Sequence, residues 1–429
     1  MSWIRPHPLH GLVLAALSLP VTALAQSTRQ GTQPRAALDT VVRVAQQPRH
    51  PGVATLIEEQ SIGVADGAEE YMLGEISDIA LGPDGSLYVF DRQVPTIRQY
   101  DAQGKFLRTI GRRGAGPGEY RSASGLAAMP DGRLLLWDTG NWRINVYSAN
   151  GDVLTQWTTP SGMSGGGTAM YSRAIMVDTS GWVLTRKTIF DVRDIMNRPT
   201  IWLRHRPDGT PMDTIHAPVS PRVMGNLSAS TERSRVTDEV PFAPKRIVVM
   251  SPLGYLIAGY PDRYAFEIHE PGRPVVSVRR DVKAAPVSRA ERAEARRKSE
   301  ERMRRTDPTW SWNGPEIPDV KPLYADIQVG LDGRIWVAVI PEVSPRVGNS
   351  SGGGGVGPAG RRPPPRLESG EPPRPALYDV FEPDGQYIGQ VQVPARVSSV
   401  VRRGDQVWGV ALDADDVPRI KRYRIAWKR

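Results

Sequence analysis

Apolar residues in this chain recur in short runs, roughly four to eight positions long, and turn residues bound almost every run. One set of turns is Pro83-Asp84-Gly85, Pro130-Asp131-Gly132, Thr179-Ser180-Gly181, Pro252-Leu253-Gly254 and Leu331-Asp332-Gly333; a second follows at Gly104, Gly151, Gly209, Gly272 and Gly385. Glycine supplies the positive φ that tight hairpins demand, and a preceding Asp assists it. The flanking runs, such as SDIALG and SLYVFD or TIRQYD and KFLRTIG, read as strands. Each unit is thus predicted to be two hairpins, four antiparallel strands, a to d. Five such units are visible. A sixth, Val397 to Trp427, offers three strands, and Ala54 to Gly63 ahead of unit one can supply its missing outer strand. Pairing the first strand with the last unit closes a ring and removes exposed edges. The pattern predicts an all-β, six-bladed β-propeller over residues 53–429, with four-stranded antiparallel blades and an N-terminal strand closing the last one. The competing architecture is a pair of β-sandwiches or a stack of open sheets.

Turn spacing locates the insertions. The two glycines of a unit are 19 residues apart in units one and two, 28 in unit three, 18 in unit four and 52 in unit five. Between units the spacing is 28 and 30, then 45 and 61. All the large excess falls in b–c and d–a connections, which share one face of an antiparallel blade. Loops held by a rigid scaffold commonly carry binding and catalysis, although surface loops also tolerate length at little entropic cost. One insertion, 283–322, contains Ser288 to Arg305, with eight Lys/Arg, four Glu and no apolar stripe. It is predicted to be a solvated polar helix with pairs such as Glu294 and Lys298. The other, 343–376, is rich in Gly, Pro and Arg and is expected to be disordered.

Composition narrows the function classes. With 39% hydrophobic residues among 429, the chain can bury a large core, and with no Cys it has no disulfide, thiol nucleophile, zinc–thiolate site or iron–sulfur cluster. Arg5, the apolar run Gly11 to Leu19 and Ala23 to Ala25 have the form of a secretory signal over residues 1–25, followed by a flexible segment over 26–52. Cleavage there removes one Arg and no acid, taking the net charge from +9 to +8. The expected location is periplasmic or secreted, with no transmembrane span after cleavage. Export sets nucleic acid aside as a partner of the basic charge and leaves acidic surfaces.

The segment Asp138 to Tyr147, DTGNWRINVY, resembles the NHL-repeat pattern, in which a strand ends in Asp, a Gly-Asn turn follows and an Arg leads the next strand. Asp91 and Arg98 in unit one are read as the counterparts of Asp138 and Arg143. Ile110 to Tyr120 and Glu69 to Ala80 are similar to segments of exported bacterial six-bladed propellers of the TolB-like group. The resemblance implies the fold. It implies little chemistry, because propellers host binders, lyases and hydrolases alike. Any Asp–Arg pairing is read as structural, satisfying loop charge.

Strand a lines the channel of a propeller. Aligned on the first glycine, the units place Ser77-Asp78, Ser124-Gly125, Arg173-Ala174, Arg246-Ile247 and Ala325-Asp326 at the channel mouth. Asp78, Arg173, Arg246 and Asp326 are therefore candidate ligand-binding residues, the arginines suited to a carboxylate or phosphate. The loop Gly111 to Tyr120 is expected to overhang the mouth and to add Arg112, Arg113, Glu119 and Tyr120. Self-paired channel ions with water are the bland counterpart. GRRGAGPG lacks the Gly-Lys-Ser/Thr of a P-loop. His205, His216 and His269 fall toward the rim, away from any channel metal or Ser/His/Asp relay. These positions support a ligand- or protein-binding module rather than an enzyme, its partner a small anionic ligand or an envelope protein. Two alternatives stand beside it. One is a lyase or lactone hydrolase of the gluconolactonase type, in which Asp78, Asp326 and Glu119 would offer oxygen ligands suited to calcium. The other is an envelope scaffold whose basic helix touches acidic surfaces.

Overall fold

In the first two blades burial falls from the second strand to the outer one. In the computed structural model, which describes residues 40–158, 175–188, 200–218, 225–232, 234–340 and 375–428, strand b of blade 1 (Leu87–Asp91) and of blade 2 (Leu134–Asp138) bury all five of their residues. A strand covered on both faces reads as a continuous apolar run, as LYVF and LLLW do. The outer strand Val153–Thr158 buries none of its residues, and Phe106–Ile110 buries only Ile110. Sheets with this gradient stand side by side, inner strands toward a common axis.

The strand order completes the ring. Blade 1 runs Ile76–Leu81, Leu87–Asp91, Thr96–Tyr100, Phe106–Ile110, and blade 2 Ala123–Ala128, Leu134–Asp138, Arg143–Tyr147, Val153–Thr158, each antiparallel in sequence order. Blades 3 and 4 begin at Ile175–Val177 and Ile247–Met250 and end at Pro211–His216 and Val276–Arg279; blade 5 runs from Tyr324–Val329 to Tyr387–Val393. Blade 6 takes Val397–Arg403, Gln406–Leu412 and Pro418–Ala426 from the C-terminus, and its fourth strand is Val53–Ile62, paired antiparallel from Thr55↔Ala426 to Ile62↔Ile420. Six separate apolar clusters fill the six seams between neighbouring blades, the last joining blade 6 to blade 1 through Trp408, Val410 and Ile420 against Ile79, Leu87 and Val89. The chain is a six-bladed β-propeller, as the turn pattern predicts, and stacked sandwiches are excluded. All ten turn glycines lie between φ +78° and +90°. At Gly254 and Gly272 open space surrounds the α-carbon, so only the backbone angle demands glycine there.

The N-terminal segment departs from expectation. Val41–Val44, within the stretch read as flexible, adds a fifth strand parallel to Val276–Arg279 of blade 4. Arg49 N and His50 N donate to Tyr387 O and Ile388 O (3.1 and 2.8 Å), and Val53–Thr55 runs parallel to Gln390–Gln392 of blade 5 before turning into blade 6. Residues 41–62 thus belt the outer edges of three blades. An open outer strand is a template for any extended segment, and Val-Val-Arg-Val is a good strand former. Residues 1–39, which include the stretch 1–25 read as a signal, lie outside the described residues, as does most of the 343–376 insertion.

The basic helix exists, at Arg289–Arg304, capped by a reciprocal Ser288–Glu291 box, but it is not a free solvated rod. It buries Ser299 and Met303, and Met303 joins Leu227, Val240, Val287, Trp310 and Ile317 in a seventh apolar cluster. The cluster's other half is a hairpin, Asn226–Ser230 and Arg235–Glu239, in the connection between blades 3 and 4. Trp310 Nε1 and Asn313 Nδ2 both donate to Ser228 O (2.7 and 2.6 Å), sewing the two insertions together. Seven of the eight cations over Ser288–Arg305 meet acids; Glu294 and Lys298 pair at 3.7 Å, and Asp238, Glu316 and Asp319 supply charge from outside the helix.

Candidate functional site: the loop face and the axial channel

Successive residues of strand a point into opposite seams: Ile79 packs between blades 6 and 1, Ala80 between 1 and 2; Leu126 between 1 and 2, Ala127 between 2 and 3. The axis is therefore walled by backbone and mostly small or apolar side chains, among them Ala80, Ala127, Val177, Val249 and Val400, with Gln328 and Arg402 as polar members. The cavity they enclose is about 120 Å³, room for about four waters. Pockets for ordinary small molecules run from roughly 300 to 1,000 Å³. The channel is thus water-sized.

Asp78 and Asp326 occupy equivalent positions, seven residues before the first-turn glycines Gly85 and Gly333. Asp78 Oδ1 accepts Ile79 N (2.9 Å) and Oδ2 accepts Leu126 N of blade 2 (2.7 Å), so its carboxylate caps the inner edge of the next blade. Asp326 is different. Gln328 Nε2 donates to its Oδ2 (3.0 Å), Arg402 donates to Gln328 Oε1 (2.6 Å), and the Arg402 guanidinium lies over the Trp336 and Tyr378 rings (4.5 and 5.1 Å). Burial pushes the Asp326 carboxyl up to about 6; the Gln328 bond, the Ile327 amide and the Arg402 charge only partly offset it.

The loop after blade 1 does not overhang the channel. Arg112–Arg113 pairs in parallel with Glu119–Tyr120. Beneath it Arg143, the first residue of strand c in blade 2, donates to the carbonyls of Ala115, Gly116 and Glu119 (3.1, 2.6 and 2.7 Å), and the Tyr147 hydroxyl donates to Gly118 O (2.9 Å). Strand c is third from the axis, which places the loop outward of the mouth. Gly118 has φ +69° and a Cβ there would fall 1.9 Å from Val153, so the loop admits no other residue without moving. Tyr120 is not a ligand group: it is fully buried, its hydroxyl donates to Ile110 O and accepts from Ile97 N (both 2.9 Å), and burial pushes it up to about 12. The Glu119 carboxylate accepts from Gly116 N and Arg112 Nε (2.7 Å each), which lower its pKa. Arg113 and Arg112 face solvent.

The remaining candidates do not converge either. The Arg246 guanidinium donates to Pro218 O and is held below its usual range by burial, with Glu267 opposing; it does not meet Asp326. Arg173 lies outside the described residues. Asp78, Asp326 and Glu119 fail as a calcium set, because Glu119 sits over blade 2 with Arg112 while Asp78 is bound to backbone amides. Among the described residues no three acidic or histidine side chains are placed to hold a metal.

The Asp–Arg pairs are structural. Asp138 Oδ1 accepts the amides of Arg121, Ser122 and Gly140 (3.1 Å each); Asp91 accepts those of Gly74, Glu75 and Gln93 (2.8 to 3.0 Å). Each carboxylate pins the incoming loop to its blade. The two arginines are not register counterparts, however. Asp138 lies opposite Arg143, whereas Asp91 lies opposite Thr96 and is reached from Arg98, two residues on. Both guanidiniums still reach the acid, Arg98 at 3.3 Å and Arg143 at 3.9 Å.

One exposed group escaped the sequence reading. Trp142, in the b–c turn of blade 2, has φ +55° and is 58% exposed. Its signal was present: an aromatic inside a Thr-Gly-Asn turn has no strand face to pack on.

Residues 66–158, which span the lead-in and the first two blades, match a protein family described as a 6-bladed beta-propeller. Among solved structures the chain is similar to a protein from Bacteroides fragilis (9% identity, 91% of this chain and 100% of that one, TM-score 0.47). It is also similar to a member of the DUF4221 family from Bacteroides vulgatus (10% identity, 89% and 100%, TM-score 0.48) and to a virginiamycin B lyase from Staphylococcus aureus (9% identity, 86% and 99%, TM-score 0.39). No curated protein sequence matches the chain. These likenesses do not bear on activity. Among the described residues no helix is long and apolar enough to cross a membrane.

Proposed function

We propose that the protein is an exported binding module that engages a macromolecular partner through the loop face of the propeller. One observation carries the reading: the insertions at the blade 3–4 and 4–5 connections emerge on one face and fold together around their own apolar cluster, while the axial cavity holds only about four waters. A chain that invests a second core in one face, and leaves the other trimmed to glycine turns, is organised to present that face. A small anionic ligand at the channel mouth is the weaker form of the same idea, since Asp78 and Arg246 are each engaged by the fold. The calcium-dependent hydrolase has no assembled carboxylate set in its favour. The acidic-surface scaffold loses its motive because the helix's charge is matched by neighbouring acids. A photo-reactive residue at Val94 or Arg113 on the loop face, or at Gln103 or Asn150 on the turn face, tests the reading in the exporting host. Cross-linked adducts are expected from the first pair alone; adducts from the turn-face pair alone contradict it.

A further inference from the structure

The b–c turn of blade 2 holds an indole in solvent by force. A bulky residue in the left-handed region is strained, and Trp142 leaves more than half of its surface in solvent. Yet the turn is rigid. Asn141 Nδ2 bridges Asp138 Oδ2 (2.6 Å) and Gly114 O (2.9 Å), Thr139 N and Oγ1 both donate to Ser122 O (2.8 and 3.0 Å), and a Cβ on Gly140 would lie 2.6 Å from that of Arg121. These contacts set Arg113, next to Gly114, and Arg121 on either side of the turn. Both are exposed, and among the described residues neither guanidinium has a hydrogen-bond or ion-pair partner, whereas Arg112 is matched by Glu119 and Arg92 by Glu75. Val94, 58% exposed, tips the neighbouring b–c turn of blade 1.

We propose that Trp142, Arg113 and Arg121 form the contact surface for an acidic protein segment, the indole anchoring an apolar side chain and the two guanidiniums capturing carboxylates. This deepens the binding-module reading and rests on it. Trp and Arg are the residue types that dominate protein–protein contact energy, while Lys is depleted there, and the cations of this patch are all Arg. Planar guanidiniums match carboxylates in a bidentate manner. A membrane surface fits less well: two unmatched cations fall short of the roughly four to eight basic residues that hold a protein to an acidic bilayer.

Fluorescence anisotropy with a labelled twelve-residue peptide of alternating Glu and Leu tests the proposal, beside a Lys–Leu peptide and phosphatidylglycerol vesicles. The wild-type protein is expected to bind the Glu–Leu peptide in preference to the Lys–Leu peptide, more weakly as salt rises. Trp142→Ala and Arg113→Glu/Arg121→Glu should each weaken binding at least about tenfold. Trp142→Phe should retain most of it, and Lys105→Glu on the turn face should change nothing. Thermal melts guard against misfolding. Equal affinity across all variants, no binding of the acidic peptide, or binding to vesicles alone would overturn the proposal. Loop-face cross-links that persist unchanged in Trp142→Ala would remove this patch while leaving the binding-face reading intact.

Discussion

Replacing Asp326 with Asn should make the protein more stable at neutral pH. Its carboxyl is raised by burial from 3.8 to about 6, with Gln328 and Arg402 recovering only part of the cost. A group whose acid form is favoured by folding binds its proton more tightly in the native state than in the unfolded one. Stability therefore falls as pH rises from about 4 through about 6, and stays reduced above. Roughly two pH units correspond to about 3 kcal/mol; the residue is only part-buried, and solvent screening brings the expectation to about 2 kcal/mol. That is a sizeable share of a typical net stability of about 5–15 kcal/mol. Asn keeps an acceptor for Gln328 and never ionises. Urea unfolding followed by tryptophan fluorescence should place Asp326→Asn about 2 kcal/mol above wild type at pH 7.5 and within about 0.5 kcal/mol of it at pH 4. An Asn variant less stable at pH 7.5, or a difference that does not vary with pH, would show that ionised Asp326 costs the fold nothing.

Other consequences are as specific. Tyr120→Phe leaves the buried Ile97 amide without its acceptor and should cost about 1–3 kcal/mol in urea unfolding. Trp142→Gly relieves the left-handed strain and should raise stability by about 1 kcal/mol, even as it removes the indole offered to a partner. Met303→Ala should weaken the helix–hairpin cluster by about 2–5 kcal/mol; because that cluster is separate from the six seams, hydrogen exchange should accelerate in residues 289–304 and not in the blades.

What was legible in the sequence was what local chemistry dictates. The turn glycines announce themselves because positive φ is a demand made within four residues, and their spacing counts the blades. The closing strand was legible because three strands at one terminus and an orphan at the other leave one economical pairing. Long-range partners were not. Tyr120 looked like a loop residue because its neighbours are polar and glycine-rich, but its hydroxyl bonds Ile97, 23 positions earlier on another strand. The helix seemed to lack a stripe because Ala295, Ser299 and Met303, four apart, make a narrow seam of small and flexible residues that an average over charged neighbours conceals. Asp78 and Asp326 were placed correctly along strand a, yet one caps an adjacent amide and the other is stranded beside Gln328.

The N-terminal strand closes the ring by pairing with the C-terminal strand of blade 6. The natural chain has no Cys, so the double variant Ile57→Cys/Arg424→Cys carries one possible intramolecular pair, at positions that face each other across the closing seam. Directly opposed residues in an antiparallel pair lie about 4.5–5.5 Å apart, within disulfide reach. Mild oxidation followed by non-reducing electrophoresis and peptide mass mapping should show the 57–424 link in a monomer. Free thiols under the same conditions, or links formed only between molecules, would contradict the closed ring.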